Sequence, residues 1–208
     1  MSKIMVRKLT LEDMSEIMRV EKETWPADMR ASEDNFKSRL EIFPDGVLGV
    51  FIEGVLVGVT TSQIVDYVDI NANSWDTVTD DGSIKNTHNS NGNMLYVVSV
   101  GVSGEHQGEG AGSFLIKRQQ KLAKDLDLDG VVLGARVPEY AQHDSEAINY
   151  FVTSRRKDGQ ARDKEIRFYE RAGFRIVGVM PNFSPDDKES AGYGVIMRWD
   201  NSDKLAVD

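Results

Sequence analysis

Apolar positions recur with two different periods along this chain, and each change of period marks the boundary of an element. The opening run IMVRKLT reads as a strand. In TLEDMSEIMRVEKETW the spacing becomes helical, with Met14, Ile17 and Met18 on one face, Thr10 placed as N-cap and acids in the first turn. Pro26 predicts a stop soon after. A second helix is predicted in ASEDNFKSRLEIF, capped by Ser32, because Phe36, Leu40 and Phe43 fall at i, i+4 and i+7, with Pro44 as its end. Two β-branched runs about Glu53-Gly54 predict an antiparallel hairpin over 47–65.

Periodicity disappears over residues 71–93, NANSWDTVTDDGSIKNTHNSNGN, which predicts a long surface loop, either functional or simply solvated. MLYVVSVGV follows as a buried strand. GAGSFLIKRQQKLAKDLDLDG reads as a helix with Leu115, Leu122 and Leu126 along one stripe and Gly130 beyond its end, and VVLGAR as the next strand. Residues 137–164 are polar and irregular apart from Ile148 to Val152, and read as an insertion over one end of the sheet. The helix DKEIRFYERAG, the strand FRIVGVM, the loop PNFSPDDKES and the strand GYGVIMRW close the chain. The order β-α-α-β-β-β-α-β-α-β-β predicts a mixed α/β fold with a hairpin-rich sheet.

Composition narrows what such a fold can do. A length of 208 residues predicts one domain over 1–208 with a full core, and 40% hydrophobic and 28% charged residues are ordinary globular usage. The net charge of -9 disfavours nucleic acid as a partner, so any acidic ligand must be held locally. The absence of cysteine excludes disulfides and a thiolate nucleophile and fits a reducing cytoplasm. Early charges and the lack of any apolar run near membrane-spanning length predict neither secretion nor a membrane partner. His88, His106 and His143 share no ligand spacing, so no metal is expected. A homodimer is left open.

The chemistry concentrates in VVSVGVSGEHQGEGAGSFLIKRQQ, where a strand passes through a glycine-rich turn directly into a helix. Glycines at 108, 110 and 112 let the backbone approach a ligand, and the helix N-terminus offers free N–H groups and the positive end of its dipole. A pyrophosphate fits there without any net positive charge on the protein. No Lys-Ser or Lys-Thr follows, which excludes a Walker loop, and Ser113 stands where a dinucleotide fingerprint needs its third glycine. What remains is [Q/R]-x-x-G-x-[G/A], met by Gln107, Gly110 and Gly112.

With VSGEHQ before this loop and FYERAGF at Phe168 to Phe174 after it, the sequence resembles the GNAT superfamily of N-acetyltransferases over residues 4–200. More narrowly, ARVPEYAQH and VMPNFSPDDKESAGYGVIM resemble acetyltransferase-like modules sometimes fused to carbon-nitrogen hydrolases. The resemblance implies a mostly antiparallel sheet splayed between its fourth and fifth strands, with acetyl-CoA as acyl donor and an amine as acceptor. It places the pantetheine arm on the backbone of Val100 and Val102, and the pyrophosphate on the amides of Gln107, Gly108, Gly110, Ala111 and Gly112, with Ser113 adding a hydroxyl. Tyr169 becomes the acid that protonates the departing thiolate.

The general base stays open among Glu105, His106, Glu139, His143 and a water chain. Arg136 could bind an acceptor carboxylate or form an internal salt bridge, Glu139 and His143 lie toward the expected acceptor side, and Lys117 and Arg118 either approach the ribose phosphate or are solvated. Two rival functions stand beside amine acetylation: a non-catalytic acyl-CoA sensor or partner-binding module, and transfer of a longer acyl chain.

Overall fold

The computed structural model describes residues 3–70 and 73–205. Asn71 and Ala72 of the expected loop lie outside the described residues. In chain order the elements are β1 (Ile4–Lys8), α1 (Met14–Thr24), α2 (Glu33–Ile42), β2 (Leu48–Ile52), β3 (Val55–Val65), α3 (Trp75–Thr79), β4 (Met94–Val102), α4 (Ala111–Asp125), β5 (Gly130–Ala135), α5 (Ile148–Thr153), α6 (Lys164–Arg171), β6 (Arg175–Met180), β7 (Gly194–Asp200) and α7 (Ser202–Leu205). Among the described residues no helix is long and apolar enough to cross a membrane.

The caps read from sequence form as expected. Ser32 accepts from the Asn35 amide at 3.1 Å, and Asp13 accepts from the Thr10 amide at 2.9 Å, although the first turn after Thr10 is 3-10 and α1 begins only at Met14. Alternation along β2 divides the packing between the two sheet faces. Val50 and Ile52 join Ala111 and Leu115 of α4, while Phe51 between them joins Ile17 and Val20 of α1 and Phe36 and Leu40 of α2.

The strands form one seven-stranded sheet in the order β1-β2-β3-β4-β5-β7-β6. Every neighbouring pair is antiparallel except β4 and β5, which run parallel and share only Met94–Gly130, Leu95–Val131 and Tyr96–Val132. Beyond that point β4 stays with β3 as far as Val102, and β5 stays with β7 as far as Ala135. The two central strands therefore part, leaving one edge of β4 facing a gap.

Three sequence expectations need correction. Residues 73–93 are not an uncovered loop: they contain α3 and bury Val78, Thr79 and Ile84. Long-range polar bonds hold this segment, with Arg39 donating to the Gly82 carbonyl at 2.6 Å and the Gln63 amide to the Val78 carbonyl at 2.7 Å. The buried stripe of α4 runs through Leu115, Ile116, Gln119 and Ala123, whereas Leu126 is 38% exposed, because Asp127 in the left-handed region (φ 53°) turns the chain before Gly130 opens β5.

The third correction concerns 137–164, which is more than a cover over the sheet. Tyr140, Phe151, Val152 and Ala161 belong to the main core with β4, β5 and β7. Phe151→Ala is accordingly expected to cost about 3–5 kcal/mol of folding stability, the usual price of a large core truncation. Denaturant unfolding reads this directly. A loss within about 0.5 kcal/mol, the range of a surface substitution, would return the segment to the status of a detachable insertion.

Candidate active site

The turn between β4 and α4 is built to leave its amides free. Ser103 donates back to the Val57 carbonyl at 2.8 Å, and the Gln107 side chain donates to the Val102 carbonyl at 3.2 Å, which fastens the turn to the end of β4. Gly108 and Gly110 then take φ of 88° and 89°, a region that penalises any other residue, and a Cβ at either would meet no atom within 4 Å. The amides from Gly108 to Ser113 find no acceptor among the described residues, and the first bond of α4 is Phe114 to the Gly110 carbonyl at 3.2 Å. Ala111 is buried and anchors this end, Ser113 is exposed, and Lys117 and Arg118 are exposed on the following turn. Unpaired amides at the positive end of a long helix are suited to holding an anion.

This turn adjoins the gap between β4 and β5. The register of β3 on β4 skips from Ser99 to Val97, so Val98 is a bulge, a device that re-aims backbone groups. The Trp75 indole donates to the Val98 carbonyl at 2.9 Å, which brings α3 to the gap. Behind the bulge the Ser99 hydroxyl bonds Thr61 at 2.8 Å, and Thr61 accepts from Arg39 at 3.2 Å. Arg39 is fully buried, and burial pulls its pKa down to about 10, so it remains a cation at neutral pH. The side chains of Val100 and Val102 pack on the apolar cluster around Ala111 and Leu115.

Tyr169 arrives from α6, whose N-terminus is fixed by Asp163 accepting from the Glu165 and Ile166 amides at 2.9 and 3.0 Å. Its ring is buried and meets Phe168 and Phe174 edge-on. Phe168 in turn lies against Gly112, 3.3 Å from the position a Cβ would take, so one aromatic joins the anion site to the helix that carries the phenol. The Tyr169 hydroxyl has no hydrogen bond among the described residues, yet it is absent from their fully enclosed unpaired polar atoms, so it is not completely sealed off. Burial, and secondly the charge of Glu165, push the phenol well above its usual pKa.

The residues expected from sequence on the acceptor side or as bases differ in how far neighbours engage them. Arg136 donates to both Asp187 oxygens at 2.7 Å and to Glu189 at 2.9 Å, so its guanidinium makes the internal salt bridge. His143 lies 3.0 Å from Arg162 and 3.6 Å from Glu146, and His106 lies 3.1 Å from Glu109. Glu139 is half-buried at the start of the turn Tyr140–His143, and Glu105 is exposed. Sequence reasoning passed over Glu165, although E-x-x-x-Y in KEIRFY puts it one helical turn before Tyr169 on the same face.

Comparison with known proteins agrees with this geometry. Residues 11–152 match the model of the Acetyltransferase (GNAT) family. The chain is 33% identical over 203 residues to the uncharacterized N-acetyltransferase YkwB of Bacillus subtilis, covering 94% of this chain and 88% of that protein. The loading GNATL domain of CurA from Lyngbya majuscula superposes with a TM-score of 0.84 at 19% identity, over 95% of this chain and 98% of that one. The GphF GNAT-like decarboxylase, solved with isobutyryl-CoA, gives 0.80 at 23% identity over 94% and 98%. A parted β4–β5 pair, an amide-lined turn at its mouth and two independent sequence matches lead to one conclusion: the chain belongs to the Acetyltransferase (GNAT) family.

Proposed function

We propose that residues 1–208 work as one domain that transfers an acyl group, acetyl in the first instance, from coenzyme A to an amine. The observation that carries this reading is the pairing of free amides from Gly108 to Ser113 with an unpartnered Tyr169 hydroxyl, joined through Phe168. Pyrophosphate on the amides directs the thioester end along the free edge of β4 toward the phenol. Attack by the neutral amine forms the C–N bond and an oxyanion, which backbone N–H groups along the free edge of β4 would stabilise. Breaking of the C–S bond then expels a thiolate, which takes its proton from Tyr169.

Thiol release from acetyl-CoA across a panel of primary amines tests the reaction. Release that depends on the amine is the expected result; tight acetyl-CoA binding without turnover over the whole panel would favour a sensor or partner-binding module. A second reading, another reaction of an acyl-CoA such as decarboxylation, is favoured by the TM-scores of 0.84 and 0.80 to a loading domain and a decarboxylase. The unpaired Glu165 carboxylate beside Tyr169 speaks for the amine, since a carboxylate there would attract a cationic acceptor and repel a carboxylated acyl group. Carbon dioxide release from a carboxyacyl-CoA, with no amine dependence, would reverse that choice.

A further inference from the structure

An amine acceptor reaches a neutral-pH enzyme mostly protonated, so N-acyl transfer needs a group that removes a proton before the lone pair can attack. From the geometry of α6 we infer that Glu165 is this general base and that its protonation prepares Tyr169 to act as the acid; the inference rests on the acyltransferase reading above. Glu165 and Tyr169 stand at i and i+4 of one helix, which sets their side chains side by side on one of its faces. The Glu165 carboxylate accepts no hydrogen bond and enters no ion pair among the described residues, and its oxygens are not among the fully enclosed unpaired atoms. It is half-buried, unpaired and open on one side.

The neighbouring charges explain why it stays unpaired. Arg136 is the cation facing it from the end of β5, but Asp187 and Glu189 hold that guanidinium. Lys164 on its own helix is exposed. Asp163 and Glu139 are like charges, and Asp163 keeps one oxygen on the helix amides while its other oxygen, fully buried, has no partner. Burial first, then Asp163, raises the Glu165 pKa above the ordinary carboxylate range, toward the pH at which a base is most effective. Of the other candidates, His106 is engaged by Glu109 and His143 by Arg162, Glu105 is exposed, and Glu139, although unpaired, stands outside the helix that carries Tyr169.

The proton account closes through the pair. The ammonium gives one proton to the Glu165 carboxylate and becomes the attacking amine. Protonation removes the negative charge that had been raising the Tyr169 pKa, so the phenol becomes the stronger acid when it is needed. Tyr169 then protonates the leaving thiolate as the C–S bond breaks, and regains a proton from the nitrogen of the new amide. Glu165 returns its proton to water, so the net release is one proton per turnover.

Glu165→Gln tests this with ethylamine, which is protonated at neutral pH, and trifluoroethylamine, which is largely neutral there. Ethylamine turnover should fall by about 10²–10⁴-fold, the range of acid–base assistance, while trifluoroethylamine falls less than about tenfold. Tyr169→Phe should depress both amines alike. The acid limb of kcat/KM for ethylamine, set by a carboxylate of raised pKa, should disappear in Glu165→Gln and leave a rate that climbs toward the pKa of the amine.

Stability gives a readout that a structural role would not mimic. A carboxyl with a raised folded-state pKa favours folding at low pH, and that contribution is lost as pH rises from its unfolded pKa through the folded one. Gln carries no such penalty, so Glu165→Gln should melt higher than the parent at neutral pH. Equal loss with the two amines, turnover kept within about threefold, or a lower melting point would overturn the role of Glu165 alone. Failure of the parent protein with every amine would overturn the acyltransferase reading, and this inference with it.

Discussion

Tyr169→Phe is expected to keep acetyl-CoA affinity within about twofold while kcat falls by about 10²–10⁴-fold, equivalent to about 2.7–5.5 kcal/mol of transition-state stabilisation. The substitution removes one oxygen and nothing else, because the ring holds its place through edge contacts with Phe168 and Phe174 and through burial in the main core. No hydrogen bond from the hydroxyl to a described residue is lost, so stability should barely change. A phenol whose pKa lies above the ordinary value stays protonated across the whole working range, so activity should not fall on the alkaline side through its ionisation. Stopped-flow measurement of the transfer step checks whether product release hides the chemistry. A transfer rate within about threefold of the parent there would make Tyr169 a packing residue.

Gly110→Glu and Gly112→Glu are expected to abolish detectable acetyl-CoA binding in calorimetry while leaving the protein folded. Both put a carboxylate among the free amides where a pyrophosphate would sit. An acid in the first turn of α4 suits the helix dipole by about 0.3–1 kcal/mol, so the helix itself does not suffer. Gly110→Glu also pays about 1–2 kcal/mol for a left-handed residue with a Cβ. Gly112→Glu must displace the Phe168 ring, 3.3 Å from its Cβ, and so disturbs Tyr169 as well. Gly110→Ala separates strain from charge and should bind more weakly than the parent but measurably. Unchanged affinity in a folded Glu variant would place the pyrophosphate elsewhere.

What was legible in the sequence was local. The β4–α4 turn could be read because its glycines, its strand and its helix are contiguous, and the hairpin over 47–65 because β-branched runs flank a turn. The order in the 73–93 segment leaves no local signature because the groups that impose it come from afar: Arg39 reaches Gly82, and Trp75 reaches Val98. For Arg136 the abundance of acids points to an internal salt bridge, but not to which acid, as its partner Asp187 is 51 positions away. Phe151 and Val152 gave a short apolar patch too brief to reveal that it completes the main core. Glu165 escaped attention although its spacing from Tyr169 was in plain view, since only the fold shows that the nearby cation is already taken.

The brief contact between β4 and β5 gives the sheet a seam. Only three register pairs stitch the strands β1 to β4 to the strands β5 to β7, and past Tyr96 that stitching stops. An extended amide-bearing chain laid along the free edge of β4 would act as the missing rungs, donating and accepting where β5 does not reach. The donor substrate would then be a mechanical part of the sheet during turnover. On that basis saturating acetyl-CoA should stabilise the fold as mass action requires, by about 2.7 kcal/mol at a hundred times its Kd, and should slow amide exchange most between Val97 and Val102. After acyl transfer the free thiol loses its hold on the acyl end, and the seam can reopen from that side, which would couple product release to the breathing of the two half-sheets.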